Sequence, residues 1–232
     1  MEIRRVKVWD VPTILFHWSL VLLTIAALVT GFLGGSLIEA HGLFGLAIAG
    51  LLAFRLAWGV IGSTYARFAQ FVPGPARVLA YLRGQWHGLG HNPLGAFSVL
   101  GLLALMLFQV ASGLVSDDDI SFTGPLKTLV SQSAADLFTG LHKLNVWLII
   151  GLASLHMLSI LFYFVVKKND LLTPMLTGHK TVDDPALESA RGGGWLPFVV
   201  AVLIAIGVVW AASGGLNPAP PPPPPPQAAP AW

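Results

Sequence analysis

The chain contains no cysteine. That excludes disulfides, thiolate zinc sites and cysteine-held iron–sulfur clusters. It also excludes covalent attachment of a cofactor through a C-x-x-C-H motif. Anything bound must be gripped by His, Met, Asp, Glu or packing. Charge is scarce as well. Only 10% of the 232 residues are Asp, Glu, Lys or Arg, against about 25% in an ordinary soluble domain. So little charge cannot coat a soluble globule of this length, and lipid must face much of the surface. The net charge is +2, with the basic residues scattered between hydrophobic runs. No patch of the kind that binds nucleic acid is present.

Hydrophobic residues make up 55% of the chain. They gather into five apolar stretches near Ile14–Leu33, Leu43–Ile61, Leu94–Val115, Leu144–Val166 and Trp195–Ala212. Each matches the roughly 20 helical residues that a bilayer core requires. The expected fold is an all-α integral membrane protein. The first stretch follows Arg4, Arg5 and Lys7 but is too long for a signal-peptide core and lacks a clean small-residue cleavage site. It reads as a retained helix.

Lysine and arginine set the orientation. Arg4, Arg5, Lys7, Arg67, Arg77, Arg83, Lys167, Lys168, Lys180 and Arg191 share one side, whereas the other has Lys127, Lys143 and the acidic run Asp117–Asp119. This predicts a cytoplasmic N-terminus and a C-terminal tail outside. The tail carries seven consecutive prolines, Pro220–Pro226, which would form a polyproline II rod of roughly 22 Å. It reads first as a spacer. With Asp117, Asp118 and Asp119 on the same side, it would otherwise help to dock a basic or neutral periplasmic partner.

Four of the seven histidines lie within or at the lip of a span: His17 on the first, His41 on the second, and His142 and His156 on the fourth. Fourteen residues at 100° each return to within about 40° of the same direction, so His142 and His156 face one way. They stand about 21 Å apart along the helix axis. The up-and-down order of the spans then puts His17 with His156 at an inner level, and His41 with His142 at an outer one. Two imidazoles from different helices are what axial ligation of a haem iron needs, and a six-coordinate iron carries single electrons. Ionisable residues inside a membrane are costly and usually functional. Gly45, one turn after His41, would leave room for a flat ring.

The competing reading for any one histidine is a helix–helix hydrogen bond; a proton relay or a zinc pair would also use such residues. Arg55 lies fourteen residues after His41, on nearly the same face and at the inner level. It would either pair with a haem propionate or snorkel to the headgroups. His87 and His91 have a metal-like i, i+4 spacing, but Gly88, Gly90 and Pro93 argue against a helix there. His179 sits in a polar segment and reads as solvated. Met106 and Met157 read as core or lipid filler.

The motifs VWDVPTILFHWSL, HGLFG, FRLAWGVIGSTYARFAQFVPGP, LGHNPLGA, LHKLNVWLIIGLASLH and LLTPMLTGHK resemble the bacterial membrane cytochrome b family of the b561 type. That group includes the cytochrome b subunits of nickel–iron hydrogenases. The resemblance covers roughly residues 6–180. It implies a four-helix transmembrane bundle holding two non-covalent haem b groups, with His17, His41, His142 and His156 as ligands. It also implies exchange of electrons with quinone and with a periplasmic cytochrome or oxidoreductase subunit, in the bacterial inner membrane. Three regions follow: 1–180 the di-haem domain, 181–213 a cytoplasmic linker and a fifth transmembrane helix, and 214–232 the periplasmic tail. The fifth span and the tail depart from the family pattern. The rival functions are oxidation or reduction of a small substrate, superoxide or ferric ion, at an exposed haem edge, and a non-redox scaffold or transporter. Transport is disfavoured because no span is broken mid-membrane.

Overall fold

The computed structural model describes residues 3–217; the proline run Pro220–Pro226 lies outside the described residues. A short strand β1 (Arg4–Lys7) leads into α1 (Val11–Leu33). Asp10 starts that helix: its Oδ1 accepts the Thr13 N–H at 2.8 Å, and Pro12 occupies the first turn. Both are favoured where a helix begins, since the first N–H groups lack intrahelical partners. At the far end Gly34 and Gly35 adopt φ of 62° and 56°. Glycine enters that left-handed region without steric cost, so α1 reverses through one 3-10 turn into α2 (Ile38–Ile61).

Two short helices, α3 (Phe68–Phe71) and α4 (Pro75–Leu82), precede α5 (Pro93–Val115), which Asn92 caps through the Gly95 N–H at 2.7 Å. Ser131 caps α6 (Gln132–Val165). Then come α7 (Leu172–Thr177), strand β2 (His179–Val182) and α8 (Trp195–Trp210). Among the described residues, five helices are long and apolar enough to cross a membrane. Two of them, α2 and α6, begin well before their apolar runs do. With 34 residues α6 is about 51 Å long, more than the roughly 30 Å hydrocarbon core. Its cap at Ser131 lies well before Leu144, because the helix starts outside the apolar zone. His142 is therefore well inside α6. Likewise α2 starts at Ile38, placing His41 in its first turn.

The spans form two antiparallel hairpins, α1 against α2 and α5 against α6. Helix α2 also packs on α5 and, as extensively as on α1, on α8. The core between them holds Phe16, Ile48, Leu52, Phe54, Trp58, Leu103, Met106 and Ile149. Met106 is thus core, whereas Met157 is exposed on the outside of α6. The starts of α1, α5 and α8 and the ends of α2 and α6 share one face, the N-terminal face.

A small antiparallel sheet closes that face, an element the sequence reading did not anticipate. Arg4 stands opposite Val182 and Lys7 opposite His179. His179, read as merely solvated, belongs to this strand, and its Nδ1 donates to the Thr177 carbonyl at 2.8 Å. Val6, Val8, Trp9 and Val182 bury the inner side of the sheet. The Arg4 guanidinium gathers the carbonyls of Asp184, Pro185 and Leu187.

Asp10 does two jobs here. Besides capping α1, its Oδ2 accepts the indole N–H of the fully buried Trp58 at 3.0 Å, joining α1 to α2. Asp10→Ala loses a cap worth about 1 kcal/mol and strands a buried donor, costing about 1–3 kcal/mol more. A clear fall in melting temperature in detergent is expected, with Asp10→Asn milder, measured by circular dichroism.

Candidate cofactor site

His41 and His142 meet across the two hairpins with ring centroids 6.0 Å apart and planes at 86°. Each ring is fixed from behind. His41 Nδ1 lies 2.8 Å from the Ala27 carbonyl of α1, and His142 Nδ1 2.9 Å from the Gln109 carbonyl of α5. A carbonyl oxygen only accepts, so each Nδ1 holds the proton and each Nε2 carries a free lone pair. Such a backbone bond is how proteins orient a metal-ligating imidazole.

The backbone makes space for this pair. A Cβ on Gly31 would meet the His41 ring at 2.8 Å, and one on Gly113 would meet the His142 ring at 2.9 Å. Around the pair lies a cavity of about 460 Å³, mostly apolar and lined also by Gly45 and Trp147. Nothing stands within 4 Å of a Cβ built on Gly45, in keeping with its expected role beside a flat ring. Buried Asn145, one turn after His142, donates to the Leu105 carbonyl and to Gln109 Oε1, pinning α6 on α5.

The acidic run closes this end. The Asp118 carboxylate accepts the N–H groups of Ile120, Ser121 and Phe122. The N–H groups of Phe122 and Ser121 above all hold its pKa down to about 2. Asp117 pairs with Lys127 at 3.4 Å. Two of the three carboxylates are thus engaged by their own loop, which weakens their expected role as a docking surface. The loop instead lays the Phe122 ring edge-on to His41 at 6.5 Å.

At the N-terminal face the second pair is His17, on α1, and His156, near the same level of α6. Both are half-buried, and His156 lies within electrostatic reach of His17. The His17 ring meets Trp18 edge-on, and its buried Nδ1 has no partner. Arg55 is 3% exposed, so it does not snorkel. Its guanidinium sits 4.8 Å over the Phe68 ring, with Nη1 unpartnered.

One residue dismissed from sequence belongs here too. Gly88 and Gly90 do prevent a helix, yet His91 turns inward between Trp9 and Phe71, at 4.8 and 4.7 Å. Burial pushes its pKa down to about 3, with further lowering from nearby Arg55, His156 and His17. His87 lies instead on a surface cleft with Trp86 and Gln85. Its ring partners Trp9 and Phe71 lie far from it in sequence, so no local pattern pointed to this burial.

His41 and His142 therefore form a facing pair, and among the described residues no group of three or more His, Asp or Glu is gathered. Pairs suit a metal whose remaining positions are filled by a macrocycle. Apolar walls and oriented Nε2 atoms fit a haem at the His41–His142 level. At the other level, the unpartnered Nδ1 of His17 and the unpaired buried guanidinium fit a haem with its carboxylates.

A helical bundle of membrane spans with paired intramembrane histidines defines a class, the membrane-bound b-type cytochromes. Residues 8–178 match the family model described as prokaryotic cytochrome b561; the chain belongs to that family, which implies haem b. Relatives are distant. It is 21% identical to a probable Ni/Fe-hydrogenase 1 B-type cytochrome subunit of Escherichia coli (strain K12), over 75% of this chain and 90% of that protein. It is 24% identical to a probable Ni/Fe-hydrogenase B-type cytochrome subunit of Rhodobacter capsulatus, over 81% and 87%. A protein of the same description from Cupriavidus necator is 23% identical, over 79% and 90%. No solved structure matches.

Two outcomes follow. Gly113→Leu should displace the His142 ring and lower bound haem per chain to about half, read from the pyridine haemochrome spectrum. The Asp118 contacts should persist above the ordinary aspartate range and be lost only as pH falls through about 2. At neutral pH, Asp118→Ala should therefore speed amide exchange at Ile120–Phe122 about tenfold, with haem content unchanged.

Proposed function

We propose that this membrane electron-transfer cytochrome carries two non-covalent haem b groups, one between His17 and His156 and one between His41 and His142. The observation that supports this best is the facing pair His41 and His142, both with Nδ1 committed to a carbonyl of a neighbouring helix. The four imidazoles would hold the two groups, which would supply single-electron exchange without binding substrate. The two levels lie about 21 Å apart along α6, so together they form a path across the bilayer. The haem is the electron carrier; the protein orients the imidazoles, excludes water with Phe122 and Trp9, and sets the charge around each ring.

The N-terminal face is cytoplasmic and the far face periplasmic, on the distribution of lysine and arginine. The chain sits in a bacterial inner membrane and passes electrons between the quinone pool and a redox enzyme. By likeness to the relatives named above, a nickel–iron hydrogenase is the partner class. Arg55 holds a carboxylate of the haem at the N-terminal level.

The purified protein should show two low-spin haem components, extractable by acid–acetone. In a potentiometric titration His17→Ala and His156→Ala should remove the same component, and His41→Ala and His142→Ala the other. Removal of one component by both His17→Ala and His41→Ala would contradict the pairing.

A further inference from the structure

The loop Asp117–Pro125 follows α5, yet its Phe122 ring rests on α2. That ring stands edge-on to His41 at 6.5 Å. A Cβ on Gly42 would lie 3.1 Å from it, so a glycine beside His41 makes room for the contact. Phe122 and Pro125 both form part of the cavity wall. On its own side the loop is well tied. The Gly124 N–H donates to the Ser116 carbonyl and the Leu126 N–H to the Leu114 carbonyl, both at 2.8 Å. The Asp117 N–H donates to the Thr139 hydroxyl of α6 at 3.0 Å. These bonds fasten the loop to α5 and α6. None of them holds it against α2.

That tie comes from the fifth helix. Beyond α8 the chain makes a single π-helical turn, Ala211–Gly215, and reaches Asn217. The Asn217 side-chain amide donates to the Pro125 carbonyl at 2.8 Å. Among the described residues, this is the only hydrogen bond joining the loop to α1, α2, α8 or the turn after α8. Gly214 makes it possible. Its φ is 92°, and a Cβ there would lie 2.9 Å from Asn217 Nδ2 and 3.4 Å from the Pro125 oxygen. Positive φ and close approach both favour glycine. The Asn217 N–H closes the turn on the Gly214 carbonyl at 2.9 Å. Proline has no N–H to offer, so the carbonyl is the one backbone polar group that Pro125 brings to the contact, and Asn217 satisfies it. Because α8 packs on α2, the turn is carried by the same layer of helices that carries His41.

We propose that Asn217 and Gly214 form a latch through which the fifth helix holds Phe122 against His41 and seals the cofactor cavity at that level. This rests on the reading of a haem between His41 and His142. Asn217 and Phe122 are positioning residues. Phe122 confines the His41 ring and keeps water from it; Asn217 acts through Phe122 by holding the loop across the two hairpins. The latch gives the fifth helix a part in the cofactor site without supplying a ligand.

The test uses the full-length haem-loaded protein in nanodiscs, comparing Asn217→Ala, Phe122→Ala and the double variant. The haem component assigned by His41→Ala is followed separately from the other. Asn217→Ala should keep both haems but release the His41–His142 haem to apomyoglobin about fivefold faster, the scale of one lost hydrogen bond. It should also broaden the low-spin electron paramagnetic resonance signal of that haem. The other haem should keep its release rate and its signal. Phe122→Ala should show the same effects more strongly. The double variant should be no worse than Phe122→Ala alone, because residues that act in one chain of contacts are not additive. Wild-type release rates and signals in both single variants would overturn the proposal. So would additive effects in the double variant, or equal loss of both haems, which would make the end of α8 a general support of the fold. A wild-type protein with one haem, or His41→Ala and His142→Ala removing different components, overturns the underlying reading instead.

Discussion

Two short hydrogen bonds govern this architecture: His41 Nδ1 to the Ala27 carbonyl and His142 Nδ1 to the Gln109 carbonyl. Each runs inside one hairpin, α1 to α2 or α5 to α6, and each aims an imidazole at the other hairpin. A ring held this way requires close backbone approach, which Gly31 and Gly113 supply. The bonds also fix the tautomer, so the free lone pairs point into the cavity rather than at a carbonyl. Asn145 and Gln109 extend the lock on the second hairpin. Helix register, ring orientation and cavity are thus one constraint seen at three scales.

The N-terminal level is organised differently. No carbonyl bond steadies His17 Nδ1; the surroundings are closed by parts far apart in sequence. Trp9, the Phe68–Phe71 segment, His91 and strand β2 converge there from four regions. Polar strain concentrates at this end, where Arg55 is buried among aromatic rings. The far end is apolar and roomy, with its carboxylates turned to its own loop. The two levels therefore differ electrostatically, one holding the buried Arg55 and the other nearly neutral.

How legible each feature was follows from its physical range. The five spans were readable because hydrophobic length is a local property. The boundaries of α6 were not, because its cap and first turns lie beyond the apolar run. The four histidines were readable because helix periodicity and span direction fix their levels without knowledge of packing. Arg55 was legible in position but not in state, since headgroup and buried site lie close together along α2. The burial of His91 was not legible, although Gly88 and Gly90 were read correctly as excluding a helix. Local glycines reveal the absence of a helix but not where a loop turns. Strands β1 and β2 are four residues each and separated by most of the chain. No pattern of alternation that short is diagnostic.

The fifth helix was read as an appendage to a four-helix bundle, but its packing argues for an integral role. Half of the apolar stretch of α2 is buried, against 6–17% in the other four spans. Helix α8 accounts for much of this. Gly50 accommodates Val209 so closely that a Cβ would lie 2.8 Å from it. Phe198 meets both Phe54 and Trp58 edge-on, at 5.9 and 6.3 Å. Those two rings flank Arg55 in sequence and stack on each other. Aromatic packing of this kind excludes both lipid and water from the arginine's side of α2. In so low a dielectric a charge interacts more strongly with any partner and is costlier without one. By enclosing α2, α8 thus keeps Arg55 within the bundle and forecloses its escape to the headgroups.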